Sequence, residues 1–358
     1  MNTPKHILVT GGTGYIGSHT VVELLNAGYN VSIIDDLSNS KGEVVDAIEK
    51  ITGKRITFSR VNMRNQNKLF DFIERSKVDA IIHFAASILV DESVEKPLAY
   101  YNNNLTTLIN VLQISRNLGI DKFVFSSSCS VYGEPDSLPV TESSPIKNAE
   151  SPYANTKRIG EEIIRDTVNS FPHQKPVEGK ELKKQLNAVS LRYFNPIGAH
   201  DSALIGEEPH GKPSHLISVI TKITAEGQGE LNVYGNDYNT PDGTCIRDYI
   251  HVTDVAKAHV KAMERLLDKK NKSPYEVYNI GTGKGQSVMD AINAFEKVTG
   301  TKCPYKIVPR RAGDVEKVYA DTTLANKELG WKAEKSFDEA ILSAWEWEKK
   351  KGVMNVEL

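Results

Sequence analysis

A tyrosine and a lysine four residues apart are the first residues of this sequence whose types and spacing suggest chemistry. They lie in the segment Ser151-Pro152-Tyr153-Ala154-Asn155-Thr156-Lys157, and a helix would place both side chains on one face. Ser151 can cap such a helix and Pro152 suits its first turn. A fixed ammonium lowers the pKa of a phenol, so the pair is a candidate base. A packed tyrosine beside a solvated lysine would have the same spacing.

Three glycines near the N-terminus indicate a second kind of chemistry. Gly11, Gly14 and Gly17 follow an apolar run, His6–Thr10, and lead into a helical pattern, Tyr15–Asn26. In dinucleotide sites the first glycine permits a tight turn, the second lets the backbone approach the phosphates, and the third allows close packing of the helix. The sequence therefore predicts that this turn binds the diphosphate of a dinucleotide.

Two aspartates after the second predicted strand bear on which dinucleotide binds. Asp35 stands eighteen residues after Gly17, where a carboxylate accepts hydrogen bonds from ribose hydroxyls and repels a 2′-phosphate. Asp36 would strengthen that exclusion, so NAD is favoured over NADP. Either aspartate could instead be a cap or turn residue before Leu37-Ser38-Asn39-Ser40. Asn62 could hold the adenine edge or simply form a turn.

The elements around these residues alternate between strand and helix. Each predicted strand of the first half is followed by a helical pattern, which is typical of a doubly wound parallel sheet of the Rossmann type. The predicted strands are His6–Thr10, Asn30–Asp35, Ile56–Val61, Asp79–Phe84, Lys122–Ser126 and Asn187–Tyr193. The predicted helices are Tyr15–Asn26, Lys41–Thr52, Asn67–Ser76, Leu98–Leu118 and the helix that carries Tyr153.

The regular alternation loosens after Asn195, where proline and glycine become frequent. We therefore predict a nucleotide-binding domain over residues 1–195 and a smaller mixed α/β substrate lobe over 196–358, with some segments, about 231–265, returning to the first domain. The polar stretch Phe171–Gln185 is expected to be a surface insertion.

Length and composition exclude several classes of function. The 358 residues include 44 basic and 46 acidic side chains that are mixed along the chain, giving a formal charge of −2, so neither nucleic acid nor a membrane surface is an expected partner. The N-terminal apolar run is too short for a signal peptide, and a cytoplasmic location is expected. Three widely spaced cysteines predict free thiols and no metal site.

Several motifs together are similar to the extended short-chain dehydrogenase/reductase family over essentially the whole chain. They are Thr10–Gly17, Ser126-Ser127-Ser128, Tyr153–Lys157 and Arg192-Tyr193-Phe194-Asn195-Pro196. Further segments resemble the branch of that family that epimerises UDP-hexoses at C4. They are Val131-Tyr132-Gly133, Gly235-Asn236-Asp237-Tyr238, Arg247-Asp248-Tyr249-Ile250-His251-Val252 and Arg310-Arg311-Ala312-Gly313-Asp314.

This resemblance implies an isomerase that holds NAD tightly without consuming it and binds a UDP-sugar in the second lobe. Tyr153 would take the proton of the sugar 4-hydroxyl, Lys157 would lower the pKa of the tyrosine and hold the nicotinamide ribose, and Ser128 would bond the reacting oxygen or Tyr153. A strand-end serine satisfied by local backbone bonds is the alternative for Ser128. The resemblance also implies a homodimer formed through the helices Leu98–Leu118 and Tyr153–Asn169.

Further binding residues follow from the same resemblance. The implied cofactor-binding residues are Gly11, Gly14, Tyr15, Ile16, Gly17, Asp35, Asp36, Asn39, Asn62, Met63, Phe84, Ala85, Ala86, Asn103, Ser126, Tyr153, Lys157 and Tyr193. The implied substrate-binding residues are Ser128, Tyr153, Asn195, His215, Leu216, Asn232, Tyr234, Arg247, Arg311, Asp314 and Val318. Taken singly, each arginine could be a surface ion-pair partner and Tyr234 a core residue.

Three positions depart from the pattern that the resemblance sets. Ile88 replaces a lysine expected near the nicotinamide, which should weaken retention of the cofactor or intermediate. His215 replaces an asparagine that faces the substrate phosphates, and its charge would add pH dependence. Val318 replaces a bulky tyrosine, which leaves room for an N-acetyl group and suggests activity on UDP-N-acetylhexosamines as well.

Two other functions are compatible with parts of the pattern. A nucleotide-sugar dehydratase or decarboxylase of the same family shares the Tyr–Lys pair but needs an acid or base beside the serine, where this chain has Cys129-Ser130. A non-catalytic NAD or nucleotide-sugar sensor would explain the changes at Ile88 and His215, but it has little need of Tyr153, Lys157 and Ser128.

Overall fold

The computed structural model of the protein describes residues 4–170, 184–208, 211, 213–311 and 314–354. Most of the predicted surface insertion, Phe171–Gln185, therefore lies outside the described residues. The same holds for Ala312 and Gly313 within the predicted Arg310–Asp314 motif.

The described residues form fourteen strands and eleven α-helices. The strands are β1 (His6–Thr10), β2 (Asn30–Asp35), β3 (Thr57–Arg60), β4 (Ala80–His83), β5 (Lys122–Ser128), β6 (Asn187–Tyr193), β7 (Asn195–Ile197), β8 (Leu231–Tyr234), β9 (Ile246–Arg247), β10 (Tyr249–His251), β11 (Tyr275–Ile280), β12 (Gln286–Ser287), β13 (Tyr305–Val308) and β14 (Lys317–Val318). The helices are α1 (Tyr15–Asn26), α2 (Glu43–Thr52), α3 (Gln66–Ser76), α4 (Val90–Glu95), α5 (Pro97–Leu118), α6 (Pro152–Asn169), α7 (Leu216–Glu226), α8 (Val252–Leu267), α9 (Val288–Thr299), α10 (Thr323–Leu329) and α11 (Phe337–Met354).

The largest sheet has seven strands in the order β11-β6-β5-β4-β1-β2-β3. Its pairs β1–β2, β1–β4, β2–β3 and β4–β5 are parallel. The strand order reverses between β1 and β4, and ligands of open parallel sheets bind outside the carboxyl ends of the strands at such a reversal. The predicted fold class, a doubly wound Rossmann-type sheet, is confirmed.

Apolar strand runs and helix faces explain how this sheet forms. Ile7, Leu8 and Val9 of β1 are fully buried, as expected for a parallel strand covered on both faces. Leu108 of α5 and Ile164 of α6 belong to the same buried cluster as Leu8. Burial of this apolar surface supplies the main driving force for packing α5 and α6 on the sheet, and α6 is the helix that carries Tyr153.

The chain divides into two compact units that differ in detail from the predicted domains. The first unit contains residues 1–131, 148–192 and 256–278, and the second contains 132–147, 193–255 and 279–358. The segment that joins the first unit late in the chain is thus 256–278 rather than the expected 231–265, because it supplies most of α8 and of the edge strand β11.

Residues 132–147 join the second unit because they bond to its later segments. Val140 donates its N–H to the Tyr319 carbonyl at 2.9 Å and accepts from the Asp321 N–H at 2.7 Å. The Tyr132 hydroxyl donates to the Asn279 side chain at 2.7 Å. These partners are more than a hundred residues away in sequence, so no local pattern could have assigned the segment.

The second unit is built on short strand pairs around its own apolar core. β7 pairs with β10, β8 pairs with β13, and β9 lies between β12 and β14. Phe295 of α9 and Trp345 of α11 pack edge to face, with ring centroids 5.4 Å apart. The mixed α/β character predicted for this part of the chain is therefore observed. Among the described residues, no helix combines the length and apolar composition needed to cross a membrane.

Candidate active site

The glycine turn after β1 has the geometry that a diphosphate-binding turn needs. Gly11 has φ of +71°, and a Cβ there would lie 2.7 Å from the backbone nitrogen of Ala85. A Cβ on Gly17 would collide with the Gly11 carbonyl oxygen. Gly14 is the N-cap of α1 and makes no side-chain capping bond. The N-terminal amides of α1 and their dipole therefore lie beside a turn whose glycines leave the backbone open to phosphates.

Asp35 is held in place at the carboxyl end of β2. It is buried, and its carboxylate accepts from the backbone N–H of Thr13 at 3.2 Å and of Leu37 at 2.9 Å. The side chain thus links the end of β2 to the glycine turn. A carboxylate fixed there can accept hydrogen bonds from ribose hydroxyls and disfavours a 2′-phosphate.

Two of the other predicted nucleotide residues have turn contacts. Asp36 accepts from the Ser38 N–H at 3.0 Å, and Asn62 accepts from the Arg64 N–H at 3.0 Å and its Nε at 3.2 Å. These are the local contacts of turn residues. Their predicted roles toward the cofactor stay predictions.

The remaining predicted cofactor residues lie near the carboxyl ends of the same strands. Tyr15 and Ile16 open α1, Asn39 follows β2, Met63 follows β3, Phe84, Ala85 and Ala86 follow β4, Ser126 lies near the end of β5, and Tyr193 ends β6. The sheet therefore gathers them at the edge where a doubly wound fold binds nucleotides.

The loop after β4 is fixed by two asparagines of α5. Asn104 accepts from the Ser87 N–H at 2.7 Å and donates to the Ser87 carbonyl and to Thr156 Oγ1, both at 3.0 Å. Asn103 donates to Ser87 Oγ at 3.1 Å. Because Thr156 lies between Tyr153 and Lys157 on α6, the loop that contains Ile88 is tied to the helix of the tyrosine–lysine pair.

Helix α6 begins as the sequence predicts. Ser151 is its N-cap, and the Ser151 side chain accepts from the Ala154 N–H at 3.2 Å. Pro152 occupies the first turn. The predicted cap is confirmed, and it places Tyr153 in the first turn of the helix, near the positive end of the helix dipole.

Tyr153, Lys157 and Ser128 lie together at the end of β5, where Lys157 is buried and the other two residues are half-buried. The Tyr153 side chain hydrogen-bonds with Ser128, whose hydroxyl also accepts from Ser130 Oγ at 3.0 Å. Lys157 donates from Nζ to the Ser126 carbonyl at 2.7 Å, and this nitrogen lies 5.9 Å from the centre of the Tyr153 ring. The structure therefore brings the three predicted catalytic residues together, with a phenol, a hydroxyl and a cation at one strand end.

The protonation of this group differs from the sequence-based expectation. Burial raises the pKa of Tyr153 to about 12, against the opposing effect of the Ser128 hydrogen bond. Burial also lowers the pKa of Lys157 to about 8. The predicted lowering of the tyrosine pKa is wrong for this arrangement, because the cost of removing the phenolate from water outweighs the other contributions. At neutral pH the phenol keeps its proton.

Sequence reasoning missed a buried ion pair one turn further along α6. Glu161 accepts from Arg192 Nε at 2.8 Å and from Arg192 Nη2 at 2.5 Å, and it also accepts from Ser127 Oγ at 2.6 Å. The three side chains are almost completely inaccessible to solvent. Glu161 follows Lys157 by four residues, so helix periodicity could have indicated that it shares the face of Tyr153 and Lys157.

In the second unit, four of the predicted substrate residues lie together. Asp314 accepts from Arg311 Nη2 at 3.1 Å, and Arg247 Nη2 is 3.7 Å from the same carboxylate oxygen. The Arg311 guanidinium lies 5.4 Å from the centre of the Tyr234 ring. Tyr234 itself is 41% exposed, so this cluster offers two guanidinium groups and an accessible aromatic face, which suit phosphates and a base respectively.

Asp248 organises the strands beside this cluster. Its carboxylate accepts from the Thr282 N–H at 2.8 Å, the Gly283 N–H at 3.0 Å and the Ala320 N–H at 3.1 Å. Its carbonyl accepts from the Asn195 N–H at 2.9 Å. Because Asp248 follows Arg247 directly, these bonds fix the strand that carries the arginine. They also position the predicted substrate residue Asn195.

Val318 and Asn232 lie on two different strand pairs of this unit, β14–β9 and β8–β13. Val318 is paired with Arg247 in the parallel β14–β9 register and is 7% exposed. Asn232 is exposed on β8, opposite Lys306 of β13. Asn232 thus lies on the strand that carries Tyr234, and Val318 lies on the strand beside the one that carries Arg247.

His215 has an acidic partner that sequence reasoning did not foresee. It is the N-cap of α7, directly before Leu216, and its Nδ1 pairs with the Glu207 carboxylate. Ser218 also hydrogen-bonds to Glu207. The Glu207 charge raises the pKa of His215 above its usual value. Glu207 precedes His215 by eight residues in an irregular stretch, so no periodicity linked the two.

The doubly wound sheet carries a glycine turn before α1, an aspartate at the end of β2 and a Ser–Tyr–Lys group at the end of β5. These features together are typical of a dinucleotide-dependent enzyme that acts by proton and hydride transfer. The model of the NAD dependent epimerase/dehydratase family matches residues 7–281, and the chain belongs to that family.

The chain is similar to particular proteins and solved structures over nearly its whole length. The chain is 46% identical over 351 residues to the UDP-glucose 4-epimerase of Drosophila melanogaster, covering 96% of this chain and 97% of that protein. A crystal structure of UDP-glucose-4-epimerase from Stenotrophomonas maltophila with bound NAD and formylated UDP-arabinopyranose has a TM-score of 0.91 at 41% identity, covering 98% of this chain and 99% of the other. The UDP-glucose 4-epimerase from Bifidobacterium longum in complex with NAD+ and UDP has a TM-score of 0.89 at 42% identity, covering 97% and 99%.

Proposed function

We propose that the protein is an NAD-dependent isomerase that interconverts UDP-galactose and UDP-glucose by epimerisation at C4. The observation that carries the proposal is the group of Tyr153, Ser128 and Lys157 at the end of β5. Full-length similarity to UDP-glucose 4-epimerases supports the same reaction and substrate class.

The residues of the first unit fit NAD as the resident cofactor. A Cβ on Gly11 or Gly17 would meet neighbouring backbone atoms, so the turn keeps the close approach that a diphosphate requires. Asp35 would accept from the adenosine ribose hydroxyls, and Lys157 would hold the nicotinamide ribose. When bound, NAD would supply the hydride acceptor and donor for sugar C4 and would not be consumed.

Tyr153 would carry the proton in both half-reactions. It accepts the proton of the sugar 4-hydroxyl as C4 is oxidised to a ketone, and it gives the proton back as the ketone is reduced on its other face. Ser128, already bonded to Tyr153, would hold the reacting oxygen. The high pKa of Tyr153 suits the second half, in which the phenol donates, while the first half requires added positive charge to favour the phenolate.

The second unit would hold the uridine diphosphate end of the substrate. Arg247 and Arg311 would each fork onto phosphate oxygens, Asp314 would accept from the uridine ribose, and Tyr234 would stack on uracil. Asn195, His215 and Leu216 would complete the contacts to the diphosphate. The Asp314 carboxylate supports this assignment, because it accepts a hydrogen bond from Arg311 and lies 3.7 Å from Arg247 Nη2, which keeps the two guanidinium groups near each other.

We further propose that the enzyme accepts UDP-N-acetylhexosamines. Val318 is smaller than a tyrosine and lies in register with Arg247, so an acetamido group at sugar C2 would meet less bulk there. Steady-state kinetics on UDP-glucose and UDP-N-acetylglucosamine tests this, and undetectable turnover of the acetamido substrate would reject it.

Homodimer formation and a cytoplasmic location are also part of the proposal. Val94 of α4 and Leu98 of α5 are 61% and 81% exposed, which supports burial of this helical face against a second copy. Light scattering at several concentrations measures the state. Among the described residues, Cys129, Cys245 and Cys303 form no disulfide, which suits a reducing compartment.

The decisive experiment for the reaction uses the purified protein without added NAD. UDP-galactose should be converted into UDP-glucose with no net NADH, because the cofactor is reduced and reoxidised within each turnover. Unchanged UDP-galactose on protein with full NAD occupancy would favour the nucleotide-sugar sensor. Appearance of a dehydrated or decarboxylated sugar nucleotide would favour that family branch instead.

A further inference from the structure

The buried pair Glu161–Arg192 occupies a position that the proposed reaction does not use. Tyr153, Lys157 and Glu161 follow one another at intervals of four residues on α6, so they share one helix face. Tyr153 and Lys157 contact the end of β5 from that face. Glu161 contacts the same strand one turn later, through Ser127.

Together with Ser127, this pair joins three elements at one buried point. Glu161 belongs to α6, Ser127 to β5 and Arg192 to β6, and the bonds between them are 2.5 to 2.8 Å long. The arginine fork contacts both carboxylate oxygens, which fixes orientation as well as distance. A slide or rotation of α6 along the sheet would break all three bonds.

Ser127 stands between the two residues of β5 that meet the catalytic group. The Ser126 carbonyl accepts from Lys157 Nζ at 2.7 Å, and Ser128 hydrogen-bonds with Tyr153. The bond from Ser127 to Glu161 therefore sets the register between the strand and the helix at the point where their catalytic contacts form.

Stability alone gives a weak reason for such a pair. A buried ion pair can often be replaced by apolar side chains of similar volume with no loss of stability, whereas removal of one partner costs about 3–5 kcal/mol. A role in geometry requires these particular donors and acceptors.

We propose that Glu161 is a positioning residue for catalysis, which acts through Ser127 and Arg192 to hold Tyr153 and Lys157 in reacting register with β5. This inference rests on the proposed epimerase activity. It extends the catalytic machinery to three residues that touch neither the sugar nor the cofactor.

The main test replaces the whole pair and compares it with a second buried pair. The variant E161M/R192M removes both charges together, so the folded protein should keep a melting temperature equal to or above that of the wild type. We expect kcat for UDP-galactose to fall about 100-fold, as small misplacements of reacting groups do, with KM within about threefold. The matched control is R265M/E276M, which removes the buried fork between α8 and β11 and should leave kcat unchanged.

A second variant tests the inference even if the double substitution prevents folding. S127A removes the hydroxyl that links Glu161 to β5 but leaves the ion pair whole, so no buried charge loses its partner. We expect kcat to fall about tenfold, the effect of one charge-assisted hydrogen bond, with NAD content unchanged. Wild-type kcat and an unchanged pH profile in both S127A and E161M/R192M would overturn the inference.

A readout independent of turnover separates this inference from the proposed function. Titration of the Lys157 amine by NMR should show its pKa rising from about 8 toward 10.5 in both variants, because Lys157 is no longer held in its dry contact with Ser126. An unchanged titration would reject the positioning role. A wild-type protein that converts no UDP-galactose would reject the proposed function, and the titration would then decide this inference alone.

Discussion

The catalytic group of the first unit and the arginine–tyrosine cluster of the second differ in how they are held. Lys157 is 4% exposed and is fixed by a long helix and a central strand. Tyr234 is 41% exposed, and the side chain of its partner Arg311 is 45% exposed. The cation of the first group is thus removed from water, whereas the second group stands on short strands and loops with its aromatic ring and one guanidinium partly exposed.

This difference indicates a division of labour between reaction and recognition. Buried charges feel a low dielectric, so small changes in their surroundings shift their pKa values strongly. Exposed charges are screened and contribute mainly through direct contact with ligand. Substitutions in the first group should therefore change kcat and protonation, and substitutions in the second should change KM.

Replacement of Tyr153 by phenylalanine should give the largest effect and the clearest test of that division. The ring remains but the proton carrier is lost, so we expect kcat to fall about 1,000-fold with KM for UDP-galactose and NAD content nearly unchanged. Steady-state kinetics and release of nucleotide by denaturation measure these quantities. Near-normal kcat would remove Tyr153 from the mechanism.

Lys157 should show its burial in the pH dependence of stability. Its pKa in the folded protein, about 8, lies below the ordinary value of 10.5, so between these values the unfolded state binds more protons and stability rises with pH. Nucleotide-free wild type should therefore gain up to about 3 kcal/mol relative to K157M across this window. Urea unfolding at several pH values from 7 to 11 measures the gain, and parallel curves for the two proteins would contradict it.

Replacement of Arg247 should change KM, whereas replacement of Tyr153 should change kcat. Loss of a charge-assisted contact to phosphate costs about 1.5–3 kcal/mol, so R247M should raise KM for UDP-galactose about 30-fold while kcat changes less than about threefold. Added salt should weaken binding further in the wild type than in the variant. A fall in kcat at constant KM would place Arg247 with the reacting group and break the division.

Val318 should give the smallest effect, confined to the choice of sugar. V318Y should lower kcat/KM for UDP-N-acetylglucosamine about tenfold, the range expected when a pocket changes by a few carbon atoms. The same parameter for UDP-glucose should stay within about threefold. Equal losses on both substrates would indicate general overpacking of β14 against β9 rather than a specificity role.

The sequence predicted the first unit well because its signals are local. The run before Gly11, the glycine spacing and the cap at Ser151 each specify structure within a few residues, and all three are observed. The strand order then follows from the doubly wound pattern. The pKa direction of Tyr153 was not predictable, since it depends on burial that the chain reaches only after folding.

Most of the features that could not be predicted from the sequence depend on contacts between residues far apart in the chain. Val140 bonds to Tyr319 and Asp321, and Glu161 on α6 bonds to Arg192 on β6. Neither residue type nor spacing along the chain indicates such partners. The short helix α4 (Val90–Glu95) was also missed, because it lies in the stretch around Ile88 that departs from the expected motif and contains few apolar periods.

The spacing of Tyr153, Lys157 and Glu161 restricts insertions and deletions in α6 more than it restricts the residue types at the other positions of the helix. Each four-residue step advances about 6 Å along the helix and returns to nearly the same face. One inserted residue anywhere between Tyr153 and Glu161 would turn the later side chains by about 100° and move them away from β5. Descendants of this sequence can therefore exchange many outward-facing residues of α6, but deletions and insertions in its first three turns should be eliminated by selection.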